Sequence, residues 1–268
     1  MEAALIVVGG GRMGTALVEG ILSSGYLTAS SIVVVEPDVE RRAMLRLAHD
    51  DLILVDTPEI EHIGEKTGGV LAVKPEVAES AARLLGGLGI QRILSVVAGI
   101  PAARLEAALP QPIPVIRAMP NTPALVGAGV SAISGGSHVT KADLDWADEL
   151  LSSVGTVVRV PERQLDAVTG VSGSGPAYLF LVAEALIEAG VTAGLSRETA
   201  RTLANETILG AGRMLVESGQ SAEELRAQVT SPGGTTAAAL RALEARAVRS
   251  AFVEAVMAAV ERSRSMGR

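Results

Sequence analysis

The pattern of apolar residues changes near residue 160 of this 268-residue chain, and this change limits the folds that the chain can adopt. Before that point, short apolar runs rich in β-branched residues alternate with amphipathic segments, which predicts βαβ units and a mainly parallel sheet. The runs are almost wholly apolar, as expected of strands that are covered on both faces. The sequence therefore predicts an α/β fold with a doubly wound sheet, whose strands are Leu5–Val8, Ile32–Val35, Leu52–Val55, Val70–Val73, Ile93–Val97, Val115–Arg117, Val130–Ile133 and Val157–Val160.

Beyond Pro161 only helical periodicity remains, so we expect residues 1–160 and 161–268 to form two domains. The second is rich in alanine, and the whole chain has only two Phe, two Tyr and one Trp. Each alanine-rich helix buries little apolar area, so packing against a second copy would stabilise such a domain. We therefore predict an all-helical dimerisation domain with helices at Asp166–Gly170, Pro176–Ala189, Arg197–Ser218, Ala222–Val229 and Thr235–Arg264.

Composition excludes several classes of protein. The net charge of −7 gives no basic surface for a phosphate backbone, so no nucleic-acid partner is expected. The absence of cysteine excludes disulfides and thiolate sites, and three histidines without motif spacing predict no metal site. The N-terminus lacks the pattern of a signal peptide, and the longest uncharged stretch, Ala118–Thr140, is interrupted by prolines and glycines. We therefore expect a soluble cytoplasmic protein with no membrane partner.

A G-x-G-x-x-G pattern follows the first predicted strand. Gly9 would permit a tight turn, Gly11 would let the backbone approach a pyrophosphate, and Gly14 would let helix and strand pack closely. Arg12 and Met13 lie between the second and third glycines. The free N–H groups at the start of the next helix would bind the negatively charged pyrophosphate. The alternative is a purely structural strand–helix turn.

Glu36 ends the second predicted strand, where a carboxylate suits the 2′-hydroxyl of an adenosine ribose and repels a 2′-phosphate. Arg41 and Arg42 lie close enough to attract a 2′-phosphate and so complicate that inference. The alternative for Glu36 is a solvated strand end, and the alternative for the two arginines is an exposed helix face.

Further polar or proline-marked loops follow other strands, at the sheet edge where open α/β sheets bind ligands. They are Val73-Lys74-Pro75, Ala98-Gly99-Ile100-Pro101 and the loop Arg117–Pro123, which contains Met119 and Asn121. The asparagine offers both donor and acceptor groups. Each loop taken alone is also consistent with a structural role.

Two segments of small residues stand out in the helical half, Ser172–Tyr178 and Thr230–Thr236. The second opens a helix, so its N–H groups and hydroxyls could cradle a small anion such as a carboxylate. The alternative is an ordinary helix cap with a tight turn. No catalytic triad, H-E-x-x-H or P-loop occurs in the chain.

These segments together resemble the Δ1-pyrroline-5-carboxylate reductase family over about residues 4–265. Val229–Thr236, at the centre of Leu225–Glu244, resembles the family signature. The resemblance implies a Rossmann domain that binds NADPH or NADH, followed by a helical domain through which the chains form homodimers that often assemble into decamers. It places the cofactor across Gly9, Gly11, Arg12, Met13, Gly14, Glu36, Val73, Lys74, Pro75, Ala98, Gly99, Met119 and Asn121.

The resemblance also implies the chemistry. A turn from the partner subunit, formed by Ser231, Gly233, Gly234, Thr235 and Thr236, would hold the substrate carboxylate, with the Thr236 hydroxyl against the ring nitrogen. Hydride transfer to the imine carbon of pyrroline-5-carboxylate would then give L-proline, by positioning more than by side-chain acid–base chemistry. Alternatives are a reductase of another cyclic imine and a nucleotide-sensing homologue without turnover.

The chain departs from the family pattern at two places that matter. Many members have Asn-Arg or Ser-Arg after the second strand, whereas this chain has Glu36-Pro37, which favours NADH over the family's usual NADPH. The usual Gly-Gly turn after the signature helix is replaced by Ala245–Val248, so we expect the last two helices to run on as one.

Overall fold

The computed structural model describes residues 3–266. Contacts divide these residues into two compact units, one formed by residues 3–174 with 258–266 and the other by residues 175–257.

The first unit is built on one eight-stranded sheet in the order β3-β2-β1-β4-β5-β6-β7-β8. All neighbouring strands are parallel except β6 and β7, which confirms a mainly parallel α/β sheet. The chain reverses its direction of progress between β1 and β4, so their carboxyl ends form the switch point where such sheets bind ligands. The strands are β1 (Ala3–Val8), β2 (Ile32–Val35), β3 (Ile53–Val55), β4 (Ile63–Leu71), β5 (Arg92–Ser95), β6 (Val115–Met119), β7 (Gly129–Gly135) and β8 (Gly155–Arg159).

Both faces of the sheet are buried at its central strands, which explains why β1 and β2 are continuously apolar. Successive side chains of a strand point to opposite faces. In β1, Leu5 and Val7 belong to one buried cluster, whereas Ile6 and Val8 belong to a second. The helices of this unit are α1 (Arg12–Ser23), α2 (Val39–Ala48), α3 (Ala78–Leu88), α4 (Ala102–Ala108), α5 (Lys141–Ser152) and α6 (Leu165–Val168), followed by a π-helical turn at Thr169–Gly173.

The second unit is helical, as the sequence predicts. Its helices are α7 (Gly175–Thr192), α8 (Arg197–Glu217), α9 (Ala222–Gln228) and α10 (Thr235–Ala245), and it includes the first half of α11 (Val248–Met266). The side chains of Ser196 and Ser221 cap α8 and α9. A Cβ on Gly190 of α7 would lie 2.9 Å from that of Ala200, so the small residue lets α7 and α8 approach closely.

Large apolar side chains remain exposed on these helices, including Leu179, Phe180 and Leu181 of α7 and Val216 of α8. One helical stretch of the described residues, Glu162–Thr192, contains a segment that is long and apolar enough to cross a membrane by length and composition. Helices of soluble proteins pass the same test. Contiguous exposed apolar surface is also typical of an interface between proteins.

The predicted single helix Thr235–Arg264 is wrong, because the chain turns between α10 and α11. The N–H groups of Arg246 and Ala247 donate to the carbonyls of Leu243 and Glu244 and so end α10. Ala247 has φ of 53°, the left-handed conformation that glycine adopts most readily at helix ends. The break between α10 and α11 is therefore made with an alanine in the strained left-handed conformation.

This strain predicts that Ala247→Gly stabilises the protein. A left-handed non-glycine residue costs roughly 1–2 kcal/mol, which exceeds the entropic cost of introducing glycine, so a gain of about 0.5–1 kcal/mol is expected. Thermal unfolding at fixed protein concentration measures it. The matched variant Ala242→Gly, within α10 and equally exposed, should lose about 1 kcal/mol. Equal destabilisation by both variants would show that Ala247 is not strained.

Candidate functional site

The glycine turn between β1 and α1 lies at the switch point of the sheet. Gly9 has φ of 107°, and a Cβ there would lie 2.3 Å from the carbonyl oxygen of Ala72, just after β4. A Cβ on Gly14 would lie 1.9 Å from the carbonyl oxygen of Gly9. Both positions therefore exclude any side chain. A Cβ on Gly11 would meet no atom within 4 Å, so the middle glycine faces open space.

The N-terminus of α1 is open to an anion. Gly11 is its N-cap residue and supplies no side-chain acceptor, so the first N–H groups of the helix are left for another partner. Arg12 is exposed, whereas Met13 packs against the core. Beside the turn lies a groove of about 630 Å³, whose lining includes Gly11, Arg12, Thr15, Arg41, Met44 and Leu125.

Glu36 is held beneath the glycine turn and is only 4% exposed. Its Oε2 accepts from the N–H of Gly10 at 2.9 Å and from the Arg41 guanidinium at 3.3 Å, while its Oε1 accepts from the N–H of Asp38 at 3.0 Å. The carboxylate therefore stabilises the glycine turn by a hydrogen bond from the end of β2. Its charge is offset by Arg41, which sequence reasoning recognised only as a complicating neighbour.

The start of α2 supports this arrangement. Asp38 is the N-cap residue of α2 and accepts from the N–H of Arg41 at 3.0 Å, and the Arg42 guanidinium donates to the carbonyl oxygen of Glu36. The pKa of Asp38 lies below its ordinary value, chiefly because the Arg41 N–H stabilises the carboxylate and further because the Arg41 guanidinium lies nearby. The end of β2 thus carries two carboxylates and two guanidinium groups.

The loops after β4 and β5 lie at the same edge of the sheet, because β1, β4 and β5 are parallel. Val73 and the exposed Lys74 follow β4 and lead into a 3₁₀ turn at Pro75–Val77. Ala98 and Gly99 form the turn after β5, with Gly99 at φ of 77°. The topology therefore brings both predicted loops to the carboxyl edge beside the glycine turn.

Asn121 follows Met119, the last residue of β6, and is 8% exposed. Its Oδ1 accepts from the N–H of Val130 at 2.9 Å, and its Nδ2 donates to the carbonyl oxygen of Ser172 at 3.2 Å. These bonds tie the β6–β7 loop to the π-helical turn Thr169–Gly173. The amide that the sequence marked as a ligand group thus also joins two parts of the first unit, and its role toward a cofactor stays a prediction.

The sequence did not reveal two features of this unit. The π-helical turn gives the N–H of Ser174 the carbonyl of Thr169 as its partner, and such turns are frequent at functional sites. Glu162 accepts from the N–H of Ala102 at 2.8 Å and from Arg117 at 2.9 Å. No spacing signal could have found this cluster, because its partners lie 60 and 45 residues away along the chain.

The second unit contains the turn that opens α10. Gly233 has φ of 69°, and the N–H of Gly234 donates to the carbonyl oxygen of Ser231 at 3.1 Å. A Cβ on Gly234 would lie 2.3 Å from Oγ of Ser231, so a side chain there would displace that hydroxyl. Gly234 is the N-cap residue without a side-chain cap, and Thr235 and Thr236 are the first two residues of α10. The turn thus combines hydroxyl groups with the uncapped N–H groups of an 11-residue helix.

Two family models match different parts of the chain. Residues 162–266 match the family model described as pyrroline-5-carboxylate reductase dimerisation. Residues 4–99 match the model described as NADP oxidoreductase, coenzyme F420-dependent.

Individual relatives match over the whole length. The chain is 41% identical to the pyrroline-5-carboxylate reductase of Synechocystis sp., covering all of both chains, and 43% identical to that of Mycobacterium tuberculosis, covering 98% of this chain and 97% of the relative. The solved reductase of Coxiella burnetii is 33% identical with a TM-score of 0.90 and full coverage of both chains. That of Plasmodium falciparum, solved with NADP bound, is 31% identical with a TM-score of 0.86 and covers 99% of this chain and 98% of that one. The resemblance inferred from the motifs is confirmed, and the chain belongs to the pyrroline-5-carboxylate reductase family.

Proposed function

We propose that this protein catalyses the NAD(P)H-dependent reduction of Δ1-pyrroline-5-carboxylate to L-proline, the last step of proline biosynthesis. The observation that carries the proposal is the intact Ser231–Thr236 turn at the start of α10, in a chain that also has an open dinucleotide turn. Relatives that share about 40% of the sequence over their full length bear the name of this activity.

The first unit fits a dinucleotide. The space in front of Gly11 and the uncapped N-terminus of α1 suit a pyrophosphate, since backbone N–H groups and the helix dipole favour negative charge there. When bound, the reduced nicotinamide supplies the hydride. We propose that the cofactor lies across the residues that the family resemblance implies. They are Gly9, Gly11, Arg12, Met13, Gly14, Glu36, Val73, Lys74, Pro75, Ala98, Gly99, Met119 and Asn121.

The turn before α10 supplies the groups that a small cyclic imino acid needs. Its helix N-terminus and the hydroxyls of Ser231 and Thr235, with the backbone of Gly233 and Gly234, would hold the substrate carboxylate. The Thr236 hydroxyl would bond the ring nitrogen and keep its proton in place, because the protonated imine is the better electrophile. Catalysis then depends on orientation, and no strongly basic or acidic side chain is required.

The proposal extends to the assembly. The exposed apolar side chains of α7 and α8 and the match to a dimerisation family support oligomerisation through the helical half. We propose that residues 1–160 bind the dinucleotide, that residues 161–268 form a homodimer with a second copy, and that dimers assemble further into decamers. The active protein would be a soluble cytoplasmic enzyme.

The experiment that tests the function is an absorbance assay at the nicotinamide band. Purified protein is given pyrroline-5-carboxylate with NADPH or NADH, and proline is measured as product. Oxidation of either cofactor with stoichiometric proline is expected. A faster reaction with a six-membered cyclic imine would point to a related reductase, and cofactor binding without turnover of any imine would indicate a nucleotide-sensing homologue.

For the dinucleotide turn, we predict that Gly11→Ala weakens NAD(P)H binding without unfolding the protein. A methyl group there meets no protein atom, so the melting temperature should hold, while the dissociation constant rises by about tenfold or more because the pyrophosphate is displaced. Fluorescence titration and thermal unfolding measure the two effects. Gly87→Ala, an equally open glycine in α3, is the control, and unchanged affinity in Gly11→Ala would refute the placement.

For the substrate turn, we predict that Thr236→Val lowers kcat by about 10- to 100-fold, the range for losing one strong hydrogen bond in the transition state. Cofactor affinity should change less than about twofold, since the turn makes no part of the dinucleotide site. Thr236→Ser, which keeps the hydroxyl, should restore most activity. Thr202→Val, at an exposed threonine of α8, is the control, and full activity of Thr236→Val would remove this hydroxyl from the mechanism.

For cofactor choice, we propose that Glu36 favours NADH, and we predict that Glu36→Gln raises the ratio of kcat/KM for NADPH to that for NADH by roughly tenfold. The amide can still accept from the N–H of Gly10 but no longer repels a 2′-phosphate. Glu40→Gln removes the same charge from an exposed position of α2 and should leave the ratio unchanged. If both variants shift the ratio equally, the carboxylate of Glu36 does not face the ribose.

A further inference from the structure

One carboxylate ties together two elements that carry proposed cofactor residues. Glu162 lies in a 3₁₀ turn, Glu162–Gln164, that follows β8. Its Oε1 accepts from the backbone N–H of Ala102 at 2.8 Å and from the guanidinium of Arg117 at 2.9 Å. The Arg117 side chain is 13% exposed and that of Glu162 34%, so the pair is partly shielded from water.

The bond to Ala102 replaces a missing helix cap. Ala102 is the first residue of α4, and the residue before it is Pro101, which has no side-chain acceptor to offer. Glu162 supplies that acceptor from 60 residues away. The loop that ends at Pro101 contains the Ala98–Gly99 turn, so the carboxylate fixes the point where this loop returns to the fold.

The bond to Arg117 fixes the neighbouring strand. Arg117 lies in β6, two residues before Met119. The same oxygen of Glu162 therefore restrains the loop after β5 and the end of β6 together. A charged, partly buried pair of this kind is stronger than an exposed one, because water screens it less.

We propose that Glu162 is a positioning residue of the reductase, which holds the loop 96–101 and the Met119 end of β6 in the arrangement that the bound cofactor requires. The inference rests on the proposed function, because that function assigns these loops to the cofactor. Glu162 itself is placed as a restraint behind the loop and has no assigned contact with substrate or cofactor.

The first test uses the protein without cofactor. Hydrogen–deuterium exchange of peptides that cover residues 96–106 should be about tenfold faster in Glu162→Ala than in the unsubstituted protein, because the first N–H group of α4 loses its acceptor. Glu79→Gln is the matched control: Glu79 of α3 pairs with Arg104, which also lies in the first turn of α4, but this pair is exposed and leaves the N–H of Ala102 bonded to Glu162. Unchanged exchange in Glu162→Ala would overturn the proposal.

The second test separates positioning from general destabilisation. In Glu162→Ala, kcat should fall about tenfold while KM for pyrroline-5-carboxylate changes less than about twofold, and the isotope effect with 4-deuterated cofactor should rise. The kcat of Glu162→Gln should lie between those of Glu162→Ala and the unsubstituted protein. Its amide oxygen still accepts from the N–H of Ala102, but the neutral side chain no longer forms an ion pair with Arg117. If Glu162→Ala does not fold, Glu162→Gln and Arg117→Gln carry the test.

The outcomes remain distinguishable. Kinetics and exchange of Glu162→Ala or Glu162→Gln that match those of Glu79→Gln would refute the positioning role. A lack of turnover by the unsubstituted protein would instead refute the proposed reaction, and the exchange measurement would then still decide whether Glu162 restrains the loop.

Discussion

The close approach of the glycine turn to the end of β4 is the constraint on which the rest of the site depends. The carbonyl oxygens of Ala72 and Gly9 lie where side chains on Gly9 and Gly14 would have to be. Only glycine at both positions lets α1 begin directly at the switch point with its N–H groups uncapped. Gly9 and Gly14 fix the backbone on either side of Gly11. A Cβ on Gly11 would meet no protein atom within 4 Å, so the space beside it is open.

Charge is arranged around this turn so that buried groups are satisfied. Glu36 accepts from two backbone N–H groups and from Arg41, and no buried side-chain polar atom among the described residues is without a partner. The same carboxylate therefore stabilises the glycine turn and the start of the segment that leads into α2. A reductase whose cofactor supplies the reducing equivalent needs such positioning more than it needs an acid or a base. The hydroxyls and N–H groups before α10 are consistent with that requirement.

Local features of the chain were predictable, whereas long-range contacts were not. All eight strands were found because β-branched runs between helical segments carry a local signal. The break at Ala247 was missed because an alanine in the left-handed conformation gives no signal in the sequence. The bonds of Asn121 to Ser172 and of Glu162 to Ala102 were missed because each joins residues far apart in the chain, which only the folded protein brings together. The braced position of Glu36 has the same cause, since its partner Gly10 lies 26 residues away.

We propose that the turn before α10 holds the substrate while the glycine turn after β1 holds the cofactor. A crystal structure of the oligomer with NADPH and L-proline, the proposed product, tests it most directly. We expect the pyrophosphate to lie on the N–H groups that begin α1. We expect the proline carboxylate on the N–H groups that begin α10, with the ring nitrogen at the Thr236 hydroxyl. A proline carboxylate bound elsewhere, for example on Lys74, with an empty turn at Ser231–Thr236, would contradict it.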